Sequence, residues 1–238
     1  MLKKLRFTKM ALPSLHMITQ AGGKLDPVLH KEFAEYAIAN NIDLVIMYGA
    51  AEATARMGYL PPDRSLEKYG SMGIAIPGGR FDLIDEAGNI ISEPDAVGEL
   101  VYYGSNVTLG YAECGEDLAK GDERGGVYET GDMARRDVDG FYTIVGRKKR
   151  FLKIFGNRVG LDDAERMINN AFPDFECACG GADDKMIVYI TNDEVRDDVT
   201  KFLIEKTGFN HTAFKTVFIS KIPRNEAGKI LYSELNDL

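Results

Sequence analysis

The chain has 238 residues, of which 45% are hydrophobic and 28% charged, and its formal net charge is −8. This length suffices for one large domain or two smaller ones, and the composition is typical of a soluble globular protein. The acidic balance argues against nucleic acid as the main partner, apart from a local basic patch near residue 150. No apolar run approaches the roughly 18 residues that a membrane span requires.

Cysteine and histidine usage argues against a metal centre built from these residues. The three cysteines, Cys114, Cys177 and Cys179, fit a reducing compartment, and the three histidines are scattered. The Cys-x-Cys spacing differs from that of zinc ribbons. The N-terminal segment lacks the apolar core and cleavage site of a signal peptide. We therefore expect a cytoplasmic protein without a Cys/His metal site.

A glycine pair follows the first predicted strand. Residues 15–25 are typical of a short strand leading into Gly22-Gly23, where the backbone can approach a flat ligand closely. An ordinary strand-to-helix turn is the simpler explanation of the same pair. Asp26-Pro27 then predicts a helix start, with Asp26 as the N-cap. The apolar stripe of this helix consists of Leu29, Phe33, Tyr36 and Ala37.

The next predicted strand delivers a candidate ligand-binding segment. Residues 42–47 form a mostly apolar run, followed by Tyr48-Gly49-Ala50-Ala51-Glu52. Ligands of open α/β sheets lie beyond the carboxyl ends of strands. There, an aromatic ring could stack on a base, a glycine could give access, and a carboxylate could hold a phosphate-bound metal. Alternatively, Tyr48 belongs to the core and Glu52 is a solvated loop charge.

Short strands then replace the α/β pattern. Residues 81–85 mostly alternate apolar and polar side chains, and residues 98–104 form another strand between glycine-rich turns. This predicts a small β-subdomain followed by a surface loop at 112–126. Thr130-Gly131-Asp132 and Gly146-Arg147 flank a probable hairpin at 139–140. A carboxylate and a guanidinium brought together in this way could bind the two hydroxyls of a ribose, although Thr-Gly-Asp also ends many ordinary strands.

The last part of the chain predicts a separate α+β domain. Helices are expected at 161–171 and 193–206, and strands at 185–191 and 214–219. We therefore predict an α/β plus α+β protein, with part of a large domain over 1–148, its β-subdomain over 70–147, and a small mobile domain over 149–238. Lys229 follows a glycine in a loop opened by a proline, where it could reach a distant anion or simply face solvent.

In their order and spacing, these motifs resemble the C-terminal half of the adenylate-forming (AMP-binding) superfamily, which contains acyl-CoA synthetases, adenylation domains and luciferase-like enzymes. The resemblance covers nearly the whole chain from about residue 15. It rests on the segments 22–25, 48–52, 70–78, 98–111, 130–132, 146–147, 153–159 and 223–229. It implies a ligase that joins a carboxylate to ATP, releases pyrophosphate, and passes the acyl group to a thiol.

The resemblance also implies roles for individual residues. Lys229 would be catalytic, bridging the carboxylate and the α-phosphate, and Glu52 would hold Mg²⁺. Asp132 and Arg147 would bind the ribose, and Tyr48 would stack on the adenine. Lys149 would be the hinge about which the small domain rotates. The remaining nucleotide-binding positions would be Gly22, Gly23, Lys24, Gly49, Ala50 and Ile144, with Lys153 and Gly156 in the thiol-acceptor loop. CoA or a phosphopantetheine, in the second case on an acyl carrier protein, would accept the acyl group.

The sequence departs from the family pattern in several places. Ala51 replaces the usual threonine, so a hydroxyl available to the phosphate is missing, and Lys149 replaces a frequent aspartate. We find no counterpart of the family's phosphate-binding loop or N-terminal subdomain, so we expect a fragment or short protein with little adenylating activity of its own. The strand at 42–47 would then expose an apolar edge, favouring self-association or a missing partner. A non-catalytic AMP-binding or interaction module is the alternative function.

Overall fold

The computed structural model describes residues 6–226 and 228–235. The chain forms two compact units, Met1–Val145 and Gly146–Leu238. Several sheets and few helices make up both units, which confirms the mixed α/β and α+β fold predicted from the sequence. None of the described helices is long and apolar enough to cross a membrane.

The first unit begins with two parallel strands joined by a helix. Strand β1 (Met17–Gln20) is followed by helix α1 (Pro27–Ala39) and strand β2 (Asp43–Tyr48). The Asp26 side chain accepts hydrogen bonds from two main-chain N–H groups of the first turn, and Pro27 occupies the first helical position. The predicted helix start is therefore confirmed, because this cap satisfies donors that have no partner within the helix.

The predicted exposed edge at β2 is wrong. Strand β2 pairs in parallel with β1 on one side and antiparallel with β3 (Gly58–Leu60) on the other, and β4 (Ile74–Ala75) completes the sheet in the order β1-β2-β3-β4. The chain itself thus supplies the second neighbour of β2, because it turns back after residue 52 to form β3. The edge strands of the sheet are β4 and β1, and Met17 of β1 is 53% exposed.

The second sheet of this unit is the predicted β-subdomain. Its strands β5 (Arg80–Ile84), β6 (Val97–Tyr103), β7 (Val127–Arg136) and β8 (Tyr142–Arg147) are neighbours in sequence order. The inward faces of these strands enclose a core that includes Phe81, Leu83, Leu100, Tyr102 and Ala134. Burial of these aromatic and aliphatic groups supplies the main stabilisation of the subdomain.

The second unit packs two helices against a three-stranded sheet with the order β11-β12-β13, beside a separate hairpin of β9 and β10. The helices and strands that the sequence predicted in this region are all present. Their bounds are β9 Phe151–Ile154, β10 Asn157–Gly160, α2 Leu161–Ala171, β11 Cys177–Ala182, β12 Lys185–Ile190, α3 Arg196–Thr207, β13 Phe214–Phe218 and α4 Tyr232–Leu235.

Candidate functional site

The two parallel strands of the first unit end at the same edge of their sheet. Gln20 at the end of β1 lies opposite Ile46, two residues before the end of β2. The segments Gly22–Lys24 and Tyr48–Glu52 therefore both leave the sheet at its carboxyl edge, where open α/β sheets bind ligands. The sequence predicted both segments as ligand-binding, and the topology brings them to one edge.

Tyr48 and Asp132 are in direct contact. The Tyr48 hydroxyl donates a hydrogen bond of 2.5 Å to Oδ2 of Asp132, across a separation of 84 residues. The Asp132 carboxylate is only 7% exposed, and the Tyr48 ring packs edge-on against Phe81 with a centroid distance of 6.1 Å. One short hydrogen bond to a carboxylate thus joins two of the predicted nucleotide-binding positions.

A second long-range contact joins the glycine-rich segment to strand β8. The ammonium group of Lys24 donates to the main-chain carbonyl of Ile144 at 2.9 Å, across 120 residues. A Cβ added at Gly22 or Gly23 would meet no described heavy atom within 4 Å, and Gly22 has a positive φ of 89°. The backbone beside Lys24 is therefore open to a ligand.

The loop after Tyr48 is held in a compact shape. A Cβ on Gly49 would lie 2.1 Å from the carbonyl oxygen of Ala55, so this glycine is required by packing, a reason that differs from the ligand access we predicted. Thr54 and Ala55 have positive φ values of 50° and 67°, which is costly for residues with a Cβ. Such strain persists only where the surrounding structure holds it.

Asn106 provides part of that support, and the sequence analysis missed it. Its amide nitrogen donates to the carbonyls of Ala53 and Arg56 at 2.8 and 3.0 Å. Its amide oxygen accepts from the hydroxyl of the buried Tyr102 at 2.8 Å. Sequence alone gave no indication of this role, because an asparagine between two short strands is usual in turns.

The Glu52 carboxylate lies at the end of this loop in a polar setting. Its Oε1 accepts a hydrogen bond of 2.7 Å from the hydroxyl of Tyr111, and its main-chain carbonyl accepts from the N–H of Thr108. The Tyr111 hydrogen bond, and to a smaller extent the positive charge of Arg124, lower the pKa of Glu52. The carboxyl group is therefore ionised at neutral pH and able to bind a cation.

Arg124 is a second residue that the sequence analysis overlooked. Its guanidinium carbon lies 4.5 Å from the ring centroid of Tyr111 and 5.4 Å from that of Tyr128. Its Nη1 is buried and has no hydrogen-bond partner among the described residues. A buried guanidinium nitrogen without an acceptor is uncommon, since its desolvation is then uncompensated.

These residues fit a magnesium ion carried by a nucleotide. No cluster of three or more His, Cys, Asp or Glu side chains that could cage a metal occurs in the described part of the chain. Mg²⁺ commonly keeps several waters and binds through one or two carboxylates together with substrate phosphates. An ionised Glu52, linked through Tyr111 to Arg124, fits such an arrangement, in which the carboxylate would contact the metal and the guanidinium an anion.

Two predicted segments of the second unit contain tight turns. Lys229 is exposed, and its loop is closed because Asn225 accepts from its N–H and donates to its carbonyl, each at 2.9 Å. Lys153 is exposed on β9, and the turn to β10 consists of Phe155 and Gly156, both with positive φ. This is the pattern of a type I′ hairpin, so the backbone of the β9–β10 turn is preformed.

The remaining predicted positions lie where the two units meet in sequence. Arg147, exposed, is the last residue of β8, and the exposed Lys149 lies in the short 3₁₀ turn that follows. Arg147 belongs to the second unit and Asp132 to the first, so their convergence on one ribose stays a prediction. The hinge role of Lys149 stays a prediction for the same reason.

Comparison with known proteins shows which enzymes this chain is similar to. The family model "AMP-binding enzyme" matches residues 1–112. The curated relatives are acyl-CoA ligases, and the solved structures that match include adenylate-forming enzymes. The predicted resemblance to the adenylate-forming superfamily is thereby confirmed.

Two proteins illustrate the similarity. The chain is 25% identical to the 4-coumarate–CoA ligase-like 2 of Arabidopsis thaliana, covering 97% of this chain and 42% of that protein. The o-succinylbenzoate CoA synthetase of Bacillus subtilis, solved with its acyl-adenylate intermediate, superposes with a TM-score of 0.76 at 22% identity. That alignment covers 99% of this chain and 49% of the synthetase. The same synthetase with ATP and a magnesium ion gives a TM-score of 0.73, again at 22% identity and with the same coverage. The chain thus spans about half the length of these proteins.

Proposed function

We propose that this chain forms the nucleotide-binding and C-terminal portion of an ATP-dependent acyl-adenylate-forming ligase. In the first half-reaction, a carboxylate would attack the α-phosphate of ATP, giving an acyl-adenylate and pyrophosphate. In the second, a thiol would take the acyl group and release AMP. Both steps require that anionic groups be held together, so cations and fixed donors would act by positioning and charge stabilisation.

The hydrogen bond between Tyr48 and Asp132 is the observation that carries the proposal. It fixes a flat aromatic ring beside a buried carboxylate, at the carboxyl edge of a parallel strand pair. A carboxylate in this position can accept both hydroxyls of a ribose while the ring contacts the base. The Lys24–Ile144 contact holds the open glycine segment next to strand β8, where it would border the same nucleotide.

The second unit would supply the groups that act on the phosphate and the thiol. Lys229 would bridge the carboxylate substrate and the α-phosphate, which suits a long, exposed side chain whose main-chain N–H is bonded to Asn225. The hairpin with Lys153 and Gly156 would contact the thiol acceptor, CoA or a phosphopantetheine, after rotation about Lys149. Magnesium, when bound at Glu52, would neutralise charge on the phosphates.

Calorimetric titration of the chain with AMP tests the proposal. We expect saturable binding that Asp132→Asn weakens by at least about tenfold, the size of one hydrogen bond between a charged group and its partner. Asp82→Asn is the matched control, since Asp82 lies on β5 of the same subdomain and pairs with Arg80 at 2.5 Å. Equal AMP affinity in the Asp132 variant and the wild type would refute the ribose assignment.

Ala51 is the observation that favours a second function, a non-catalytic AMP-binding module. This exposed residue presents a methyl group where the family usually has a hydroxyl. The two functions differ at Lys229: a ligase loses acid-dependent exchange of pyrophosphate into ATP when Lys229 is replaced by alanine, with AMP affinity preserved. The alternative would be supported if the chain binds AMP but shows no pyrophosphate exchange, both by itself and when joined to the segments that its longer relatives contain.

A further inference from the structure

The side chain of Arg124 is fixed in place by its neighbours. The main-chain N–H groups of Arg124 and Gly125 both donate to Oδ1 of Asp122, at 2.9 and 2.8 Å, which closes a tight turn before β7. The N–H of Glu123 donates to the carbonyl of Leu109 at 2.8 Å, which attaches this turn to the segment carrying Tyr111. The guanidinium is thus held by both its backbone and its aromatic contacts.

The aromatic contacts satisfy only the faces of the guanidinium. Tyr111 and Tyr128 contact Arg124 through their rings, and such contacts supply no acceptor to the N–H groups at the guanidinium edge. Nη1 has no acceptor among the described residues although it is shielded from solvent. A fixed guanidinium whose Nη1 is shielded from solvent and has no acceptor among the described residues is a preorganised donor for an anion.

The charges around Arg124 indicate which anion would bind. The hydroxyl of Tyr111, the residue that stacks on Arg124, also donates to Glu52, the carboxylate we propose for magnesium. A divalent cation on Glu52 would repel the neighbouring guanidinium unless anionic oxygens lay between them. Phosphate oxygens serve this purpose, because they bind magnesium and a guanidinium at the same time. Ala51, next to Glu52, offers no side-chain donor for such a group.

We propose that Arg124 is a phosphate-binding residue of this site, with Nη1 donating to a phosphate oxygen of the magnesium-bound nucleotide. This inference rests on the proposed nucleotide-binding function and adds a residue to it. The guanidinium would supply the phosphate with a side-chain donor, which Ala51 lacks. The residue acts on binding and charge, and the adenine and ribose contacts do not depend on it.

The test is calorimetric titration of the whole 238-residue chain with adenosine, AMP, ATP–Mg²⁺ and pyrophosphate–Mg²⁺. Arg124→Gln should leave adenosine affinity unchanged and weaken ATP–Mg²⁺ binding by about tenfold to a hundredfold, the effect of one charged hydrogen bond. The ATP–Mg²⁺ affinity of Arg124→Lys should fall between those of the wild type and Arg124→Gln, because an ammonium keeps the charge and loses the planar fork. Weaker AMP binding by the Arg124 variants would locate the contact at the α-phosphate. An effect confined to ATP and pyrophosphate would locate it at the β- or γ-phosphate.

Arg64→Gln is the matched control. Arg64 also stacks on an aromatic ring, 5.1 Å from the centroid of Phe141, but two of its nitrogens are paired with Glu67 at 2.9 Å each. This variant loses the same charge and should bind all four ligands as the wild type does. Unchanged adenosine affinity in Arg124→Gln also shows that the variant is folded.

The outcomes separate the inference from the function on which it rests. Normal ATP–Mg²⁺ and pyrophosphate–Mg²⁺ affinities in Arg124→Gln would overturn the phosphate role while adenosine binding upheld the nucleotide site. An equal loss for adenosine and ATP–Mg²⁺ would make Arg124 a structural residue only. A wild-type chain that binds neither adenosine nor AMP would refute the proposed function, and the inference with it.

Discussion

The guanidinium of Arg150 lies over the ring of Tyr232, 3.6 Å from its centroid. Arg150 also donates to Asp162, Glu165 and the carbonyl of Cys179 at 2.6–2.8 Å. The Tyr232 hydroxyl donates to the other oxygen of Glu165 at 3.0 Å. One buried cluster thus connects the start of the second unit to the segment that follows Lys229.

Replacing Arg150 by methionine should destabilise the second unit by about 3–5 kcal/mol, because it leaves Glu165 as a buried charge without its partner. Denaturant unfolding followed by circular dichroism measures this, since the chain has no tryptophan. Arg166→Met is the control: Arg166 pairs with Asp163 at 2.7 Å on the exposed face of the same helix, and its loss should cost at most about 1 kcal/mol.

The stability deficit of Arg150→Met should shrink as the pH falls. Burial raises the pKa of Glu165, and the positive charge of Arg150 opposes that rise. Without Arg150 the folded-state pKa lies higher still, so the folded protein takes up a proton before the unfolded chain does. Folding is therefore favoured as the pH drops through this raised pKa. A deficit that is constant with pH would contradict the buried-charge explanation.

Tyr48→Phe should weaken AMP binding by about three- to tenfold and cost about 1 kcal/mol of stability. The ring stays, but Asp132 loses the hydroxyl that orients it. Tyr142→Phe is a matched control, since the Tyr142 hydroxyl donates to the carbonyl of Phe81 at 2.8 Å. It should lose similar stability with AMP affinity intact. If both variants bind AMP equally well, the orienting role of Tyr48 is wrong.

Tyr111→Phe should raise the pKa of Glu52 toward its ordinary value of 4.5, because the Tyr111 hydrogen bond is the largest cause of its lowering. A lowered carboxyl pKa contributes stability above the unfolded-state pKa, and that contribution disappears as the pH falls through the folded-state value. Carbon-13 NMR titration of the glutamates measures the shift directly. Tyr103→Phe, which alters a ring stacked on Arg80, should leave the Glu52 titration unchanged.

Asn106→Ala should destabilise the first unit by about 1–3 kcal/mol and weaken AMP binding. The substitution removes both donors to the loop that follows Tyr48, and that loop contains left-handed Thr54 and Ala55. Asn89→Ala serves as the control, because Asn89 donates to Asp85 in an exposed turn. Denaturant unfolding and calorimetry with AMP measure the two effects. If both variants bind AMP with wild-type affinity, Asn106 does not support the loop in its binding conformation.

Much of the local structure could be predicted because it depends on neighbouring residues. The Asp26 cap and the helix over 161–171 follow from capping preferences and from periodicity, and the structure reproduces both. The candidate segments at 22–24 and 48–52 could be located because a strand end followed by glycine is visible in the sequence. Their arrival at one sheet edge follows from parallel pairing of β1 and β2.

The errors arose where distant parts of the chain meet. The run at 42–47 has the composition of a buried strand, but only the return of the chain as β3 decides that both its edges are paired. Ligand access was the predicted reason for a glycine at position 49, whereas the structure requires glycine there because the carbonyl of Ala55 leaves no room for a Cβ. Arg124 was missed because one arginine in a polar loop carries no local signal of burial.

By itself, the sequence determined the elements, their caps and turns, and the resemblance to the superfamily, because these follow from periodicity, capping preferences and motif order. Only the tertiary structure decided that Tyr48 contacts Asp132 and Lys24 contacts Ile144, across 84 and 120 residues. It also left Nη1 of Arg124 buried without an acceptor among the described residues. Such contacts form only when long loops close, and closing them costs conformational entropy. Burial of apolar surface across the whole unit offsets that cost, so no local sequence pattern predicts the contact.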